Sequence, residues 1–314
     1  MIQPTAACAF SLPLPAEGYV RTFQAEIDNL RDSTVRVRGT LSDSRCTLEY
    51  DWVVRIPDYE ILHASARHLS GDSQVLSPEL LSRSCAIQGT RTSQGFATSM
   101  RGLLGDLPGH QDHLALATEM ARVSLQAYPV PKGDHERFAS FVTDMPPGPS
   151  RLARMLWERD RAEWGMVSNS CYTYRDESGP LFETRTVVAF DPDSVSPEPG
   201  QKRFFWRTKR LHIVQCENVS GFQCKNEMDD PFQQMQIAFD LAADGTIGNA
   251  TSQAGRLPYQ GLCEVPQRRT AGLNGLRLSK KFARLIADQV GGSTGCSHLF
   301  DLATDCLRLF TWRD

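Results

Sequence analysis

A histidine near the C-terminus stands where proton chemistry is feasible. His298 lies in the stretch GCSHLFDLATD, after a Gly-Cys turn and at the predicted start of a helix. The helix dipole disfavours the imidazolium form there, and a neutral imidazole can accept or direct a proton. His298 is therefore a candidate general base or hydrogen-bond donor. The competing interpretation is a histidine that only bonds backbone groups at a helix start.

Two arginines and several aromatic residues could complete a substrate site. Arg21 and Arg207 begin predicted strands in apolar surroundings, where a guanidinium could orient a carbonyl or carboxylate group. Phe204 and Trp206 directly precede Arg207, so one stretch of strand offers both aromatic walls and a cation. Packing in the core is the competing interpretation of the aromatic residues. The aromatic candidates are Trp52, Trp157, Trp164, Trp206, Trp312, Tyr172, Tyr174, Phe204 and Phe205.

Motifs for metals and cofactors are weak or absent in the sequence. His110 and His113 have an HxxH spacing and Cys296 and His298 a CxH spacing, but neither pair has a further ligand nearby. The chain has no P-loop, no strand-bound GxGxxG, no GxSxG, no HExxH and no CxxC pair. We therefore predict neither a metal site nor a cofactor. Cys296 and His298 as a nucleophile and its base are the least favoured reading, because neighbours on one turn rarely face each other.

The chain carries an internal repeat with a spacing of 186 residues. Residues 109–119, GHQDHLALATE, resemble residues 295–305. The same shift pairs Arg21 with Arg207, Gly105 with Gly291 and residues 116–118 with residues 302–304. Matches at a fixed spacing are more frequent than unrelated sequences give, which indicates a tandem duplication. His113 matches His298 only after a local shift of one residue.

Each copy is predicted to begin with strands and to end with two helices. Residues 34–41 alternate valine with arginine, as a half-buried strand does, and Asp244-Gly245 predicts a hairpin turn. Apolar residues at helical spacing follow at 96–104 and 282–290. The predicted fold class is α+β, with two tandem repeats of an antiparallel β-sheet followed by a helical hairpin that form a pseudo-twofold pair.

Finer predictions concern the helix ends and the domain limits. Gly105 and Gly291 are expected to end helices, while Asp112 and Ser297 are expected to be N-caps that place His113 and His298 first in their helices. The predicted units are a first repeat at 1–128, a connecting insertion at 129–186 and a second repeat at 187–314. The insertion is expected to contain a helix at 151–164 and a hairpin from 171–176 and 182–190. A pocket is expected where the halves meet.

The second copy resembles the bacterial domain-of-unknown-function family 2889. That family tends to have an aspartate turn after a strand, then a cysteine, a glycine turn, a helix and a GG-x-x-GC-[ST]-HL motif. Here these features correspond to Asp244, Cys263, Gly275 and residues 291–299, and the resemblance covers about residues 203–312. The first copy has GHQDHL in place of the GCSHL block, which implies a degenerate site. The family has no assigned activity, so the resemblance implies architecture only.

Composition excludes several classes of function. The formal charge of −3 and the pI near 6.2 give no positive field for a phosphate backbone, so we expect no nucleic-acid partner. No apolar run of about 18 residues is present, and the N-terminal stretch lacks a basic signal-peptide region. Nine cysteines without CxxC spacing fit reduced thiols. These features predict a cytoplasmic protein without a membrane partner, and none of them indicates an oligomeric state.

The leading hypothesis is a cofactor-independent isomerase or cyclase. Its substrate would be an apolar small molecule of terpenoid or polyketide type, and a Diels–Alder-type cyclisation is one version. His298, Arg207 or Tyr174 would polarise the substrate while the pocket holds it in a reactive conformation. The alternatives are a non-catalytic protein that binds a similar hydrophobic molecule and a metal-assisted hydrolase or lyase. The residues expected to bind substrate are Trp52, Phe204, Trp206, Arg21 and His113.

Overall fold

The structure of the protein is a computed structural model in which most of the chain is described. Between 134 and 137, and at 165, only the backbone is described. The described ranges are 10–11, 18–31, 33–71, 77–93, 95–127, 134–190, 198–216 and 221–312.

One antiparallel sheet of eight strands forms the centre of the protein. Its strand order is β10-β9-β8-β7-β2-β3-β4-β5, so two meanders of four strands meet at the pairing of β2 with β7. Two short pairs, β1 with β12 and β6 with β11, lie outside this sheet. The strands are β1 (Phe10–Ser11), β2 (Tyr19–Asn29), β3 (Thr34–Ser42), β4 (Cys46–Arg55), β5 (Ile61–Gly71), β6 (Val188–Ala189), β7 (Phe205–Gln215), β8 (Gly221–Asp229), β9 (Gln234–Ala242), β10 (Ile247–Arg256), β11 (Tyr259–Gln260) and β12 (Thr311–Trp312).

Helices cover the face of the sheet on which the alternating apolar side chains lie. Helices α1 to α3 pack on the first meander, α6 and α7 pack on the second, and each group encloses a hydrophobic core. The helices are α1 (Pro78–Cys85), α2 (Phe96–Leu104), α3 (His110–Ser124), α4 (Pro149–Glu163), α5 (Leu181–Thr184), α6 (Phe282–Val290) and α7 (Ser297–Leu307). Short 3-10 segments lie at Asp134–Val142, Gly165–Val167, Asp176–Ser178, Pro266–Leu273 and Gly292–Thr294.

The mixed α+β class with an antiparallel sheet is confirmed. The predicted turn at Asp244 is also present, and the Asp244 carboxylate accepts from Thr246 N at 3.0 Å. Asp58 pairs with Arg55 in the corresponding turn that precedes β5. In β2 and β7, Tyr19 lies opposite Ile213 and Ile27 opposite Phe205. That the two halves are copies of one ancestor stays a prediction.

The predicted N-caps are wrong, by three residues for Asp112 and by one residue for Ser297. Helix α3 begins at His110, because Gly109 takes the left-handed conformation (φ 84°) that turns the chain into the helix. Asp112 is thus the third helical residue, and its carboxylate binds Arg21 and Arg45 instead of capping. Helix α7 begins at Ser297 itself, after Cys296 at the cap position, so His298 is its second residue.

The insertion has one predicted element and lacks the other. Helix α4 agrees with the predicted helix at 151–164. The predicted hairpin is wrong: turns, a 3-10 segment and α5 occupy most of 171–187, and only β6 is extended. Hydrogen bonds to the rest of the insertion explain this, since Trp157 Nε1 donates to Thr173 O at 2.7 Å and Arg161 donates to Tyr174 O at 2.8 Å. These contacts override the local strand pattern.

A buried cluster of charged side chains joins the two halves of the protein, which are the first meander with α1 to α3 and the second meander with α6 and α7. The cluster lies on the face of the sheet that the helices cover. Lys209, on β7, contacts Glu119 of α3 at 3.1 Å and also bonds Asp305 of α7. Arg122 of α3 contacts Asp301 at 2.5 Å and Asp305 at 3.5 Å, both on α7. Because Lys209 and Glu119 each expose only 7% of their side chains, removing one partner leaves an uncompensated charge in the interior.

Lys209→Met should therefore destabilise the whole fold. We expect a loss of about 3–5 kcal/mol in the free energy of unfolding, since Glu119 and Asp305 lose a shared cation in a buried setting. Urea denaturation measures this loss. Lys225→Met is the matched control, because Lys225 pairs with Glu227 on β8 with 45% of its side chain exposed, and it should change stability by no more than about 0.5 kcal/mol. Equal effects of the two substitutions would contradict the role given to the cluster.

Candidate functional site

A cavity of about 310 Å³ lies between the second half, the insertion and the end of helix α3. Its size is at the lower end of the range for small-molecule pockets, about 300–1,000 Å³. Three of its lining residues, Arg122, Leu125 and Gln126, come from the first half. The apolar and aromatic part of the lining consists of Leu125, Trp164, Met166, Val167, Tyr174, Phe190, Phe232, Met235, Leu257, Pro258, Tyr259 and Pro266.

His298 lies in the cavity wall at the start of α7. The turn before it depends on Gly295, since a Cβ there would meet the carbonyl oxygen of Val290, and Gly295 O accepts from Tyr172 N of the insertion at 2.8 Å. Burial, together with Arg207 and other nearby cations, lowers the pKa of His298 to about 3. The imidazole is therefore neutral near neutral pH, as the sequence predicts, but the main cause is desolvation.

Asp301 lies one helical turn after His298 and lines the same cavity. Residues three apart on a helix share a face, which brings the carboxyl and imidazole groups to one wall. Burial raises the pKa of Asp301 to about 6, and the carboxylates of Asp305 and Glu119 add to this, while Arg122 opposes it. A carboxyl group that titrates near pH 6 can both give and take a proton in neutral solution.

Arg207 lines the cavity, but its charge is already paired. Its Nε and Nη2 donate to Asp230 Oδ2 at 2.9 and 2.7 Å, and both residues are buried. Asp230 Oδ1 accepts the backbone N–H groups of Phe232 and Gln233 at 2.9 and 2.8 Å. Arg207 therefore holds the segment before β9 in place. An ionised substrate group would have to compete with Asp230 for it.

Tyr174 lines the cavity and belongs to a second buried polar group. Its hydroxyl donates to Asp160 Oδ2 at 2.7 Å, and Tyr259 donates to the same oxygen at 2.9 Å. Asp160 Oδ1 accepts from Arg159 Nε and Nη2 at 3.1 and 2.7 Å. Burial and the charge of Asp160 hold the pKa values of both tyrosines well above 10. Tyr174 thus uses its proton on Asp160 and has only oxygen lone pairs to offer a ligand.

Two residues predicted to bind substrate are buried in the first core. Trp52 packs against Phe96 of α2 with a distance of 5.8 Å between ring centroids. His113 is fully buried, and its Nδ1 lies 2.8 Å from Tyr50 Oη and 3.0 Å from Ser84 Oγ. Neither lines the cavity, because packing and hydrogen bonds within the first half already fill their surroundings.

Arg21, Phe204 and Trp206 also lie away from the cavity. Arg21 forms ion pairs with Asp43, at 2.8 Å, and with Asp112. Phe204 packs at the edge of the first core. Trp206 is half-buried between the buried Phe205 and Arg207, so its side chain lies on the opposite face of β7. Strand alternation thus separates the aromatic wall predicted at 204–206 from Arg207.

Sequence reasoning missed several polar residues of the cavity. Asp301 could have been found, since it follows His298 at helical spacing. Gln233, whose side-chain Nε2 lies 3.1 Å from His298 Nε2, comes from a segment remote in sequence. Asp160 and Tyr259 come from α4 and β11, and no spacing in the chain connects them. Only the tertiary structure brings these segments together.

Thiols also line the cavity. Cys171, Cys263 and Cys296 are members of its lining. Burial raises the pKa of Cys296 to about 12 and that of Cys263 further, so the reactive thiolate forms are disfavoured. Across the described ranges, no group of three or more His, Cys, Asp or Glu side chains is placed to hold a metal ion.

Comparison with known proteins gives one match. The model of the family described as Protein of unknown function (DUF2889) matches residues 215–309, which confirms the predicted resemblance for the C-terminal part. No curated protein and no solved structure matches the chain. In the part of the chain that the structure describes, no helix has the length and apolarity needed to cross a membrane.

Asp301→Asn should change how stability depends on pH. The folded-state pKa of Asp301, about 6, is above the usual 3.8, so its contribution to stability is present at about pH 4 and is lost as pH rises through 6. Relative to wild type, the free energy of unfolding of the variant should therefore rise by on the order of 2 kcal/mol between about pH 4 and pH 7. Urea denaturation at both pH values measures it. Asp288→Asn makes the same charge change at an exposed position of α6 and is the control. The expectation is refuted if the difference in free energy of unfolding between Asp301→Asn and wild type is the same at both pH values.

Proposed function

We propose that this chain is a cofactor-independent isomerase or cyclase that acts on an apolar small molecule. Because the family that matches residues 215–309 is of unknown function, the proposal is based on the cavity. The observation that carries the proposal is the pair His298 and Asp301. A neutral imidazole and a carboxyl group that titrates near pH 6 lie on one wall of an otherwise largely apolar cavity. This combination is typical of sites for acid–base chemistry.

The lining suits a mostly hydrocarbon substrate with a small number of oxygen groups. Most of the wall is aromatic or aliphatic: Trp164 at the end of α4, Met166 and Val167 in the 3-10 segment after it, and strand and loop residues of the second half. The arginines among the described lining residues, Arg122, Arg159 and Arg207, each pair with a carboxylate. Because no charged side chain in the described lining is left without a partner, a neutral molecule of terpenoid or polyketide type fits best.

Isomerisation needs only a proton given at one atom and a proton removed at another. In its protonated form Asp301 can give its proton to a double bond or an oxygen, and the resulting carboxylate can then remove a proton from a neighbouring carbon. The double bond moves and no net proton or electron is consumed. His298 stays neutral and stabilises developing charge on an oxygen by a hydrogen bond.

A cyclisation would use the same cavity differently. Apolar walls can hold a flexible substrate in one reactive conformer. This lowers the entropic part of the activation barrier by on the order of several kcal/mol, as in well-oriented intramolecular reactions. The hydrogen bond from His298 would then polarise the reacting system without proton transfer. If the reaction is a cyclisation, its rate should depend more on the shape of the cavity than on the ionisation of Asp301.

One observation favours a binding protein without catalysis as the second candidate. Two of the three residues predicted to be catalytic are engaged within the protein: Arg207 by Asp230 and Tyr174 by Asp160. A pocket whose polar groups satisfy one another can hold a hydrophobic molecule without acting on it. Catalysis then depends on His298 and Asp301 alone.

Incubation of the protein with a lipophilic extract of the organism that makes it tests the proposal. The protein should convert one compound into a product of equal mass and different chromatographic retention, and in heavy water a proton-transfer isomerase should add deuterium to that product. Asp301→Asn should lower the rate by about 100-fold or more, because general acid–base catalysis contributes about 10²–10⁴-fold. Asp288→Asn should leave the rate unchanged.

The outcomes separate the candidates. A compound that is retained by the protein but recovered unchanged indicates the binding protein. A product without deuterium, made equally well by Asp301→Asn but lost when Val167→Trp fills the cavity, indicates the shape-driven cyclase. If no compound is converted or retained, the proposed function is wrong.

A further inference from the structure

We infer that Gln233 fixes His298 in the tautomer with its hydrogen on Nδ1, so that the cavity offers a hydrogen-bond donor to an acceptor oxygen of its ligand. Gln233 is thus a positioning residue that acts through His298. The assignment of the tautomer stands on the geometry alone. The assignment of the ligand group, a carbonyl or ether oxygen on an apolar molecule, rests on the proposed function.

Gln233 is held firmly in the segment before β9. The residue is 4% exposed, and its backbone N–H donates to Asp230 Oδ1 at 2.8 Å. Asp230 is itself fully buried and is held by Arg207 through two bonds to its other oxygen. The chain Arg207–Asp230–Gln233 therefore fixes the position from which the amide side chain reaches His298. An amide fixed in this way is a rigid partner.

The contact between the two side chains defines where the imidazole proton lies. Gln233 Nε2 is 3.1 Å from His298 Nε2. An amide nitrogen carries two hydrogens and can only donate, so His298 Nε2 must accept. In a neutral imidazole one nitrogen accepts and the other carries the hydrogen, which places it on Nδ1. Burial and the nearby cations keep the ring neutral.

The second ring nitrogen is available to a ligand. Among the described residues, no side chain or backbone group forms a hydrogen bond with His298 Nδ1, and His298 lines the cavity. Asp301, on the same wall, is a further donor in its protonated form. A molecule that presents an acceptor oxygen to this wall satisfies both groups. A molecule that presents only donors satisfies neither.

Nuclear magnetic resonance of the full chain labelled with ¹⁵N-histidine tests the tautomer. Long-range correlations between ring nitrogens and ring carbon-bound hydrogens distinguish the two neutral forms, and His298→Gln identifies the signals of His298 among those of the seven histidines. The expected result near neutral pH is hydrogen on Nδ1. A wild-type ring with its hydrogen on Nε2 overturns the inference.

Variants of Gln233 give the second test. In Gln233→Glu a carboxylate replaces the donor, so the hydrogen should move to Nε2 and the pKa of His298 should rise. In Gln233→Met, which keeps the size but removes the hydrogen bond, both tautomers should be present. Gln234→Glu makes the same charge change on an exposed side chain and should leave the ring signals unchanged. Ring signals that are identical in wild type and in the folded Gln233→Met variant would also refute the role of Gln233.

A matched pair of probes tests the ligand group. 2-Acetylnaphthalene has an acceptor oxygen, and 2-isopropenylnaphthalene has the same shape with a CH₂ group in place of that oxygen. The ketone should bind about three- to tenfold more tightly and should shift the Nδ1 resonance of His298, as expected of one net hydrogen bond. Equal affinity overturns the ligand assignment but not the tautomer. If neither compound binds, both the ligand assignment and the proposed apolar ligand are wrong, while the tautomer is still decided by the spectra.

Discussion

The cluster of buried charges around Lys209 is the constraint on which the rest of the structure depends. A sheet of eight strands with one helical layer on each half would leave the two layers free to separate unless something joined them. Lys209, at the centre of the sheet, meets Glu119 from one helical layer and Asp305 from the other. Removal of these ions from water is costly and is offset only while all partners are in place. The two layers are therefore held in one arrangement.

The candidate site shares two residues, Arg122 and Asp301, with the same cluster. Asp301 shares Arg122 with Asp305 and Glu119, and crowding of carboxylates in a buried setting is part of the reason that its pKa is raised. The stability of the fold and the acidity of the site therefore have a common physical origin. Arg207 and Asp230 serve the site in another way: they pair with each other, and Asp230 holds the segment that contacts His298.

Much of the fold could be predicted from the sequence, because strand alternation and helical spacing are local signals. The strand near 34–41, the helices that start at Phe96 and Phe282, and the turn at Asp244 all agree with the structure. The hairpin expected after residue 170 could not be predicted correctly, since its residues bond to α4 and to the turn before α7. Local pattern does not contain those contacts.

Less of the candidate site than of the fold could be predicted from the sequence. The structure places His298, Arg207 and Tyr174 around one cavity, whereas Trp52 and His113 lie in the core of the other half. Residue type and neighbouring sequence can indicate a reactive histidine, but they do not show which arginine or tyrosine has an unused hydrogen bond. That depends on partners far away in the chain, such as Asp230 and Asp160.

The cavity wall is divided between two parts of the chain, and this division affects how the shape of the cavity can change. His298 and Asp301 belong to the second half, whereas Trp164, Met166 and Val167 belong to the insertion. The insertion contacts the turn before α7 through the bond between Tyr172 N and Gly295 O, and none of its described residues lies in a strand of the large sheet. A substitution at Trp164, Met166 or Val167 would therefore change the shape of the cavity while His298 and Asp301 stay on a separate element of the chain.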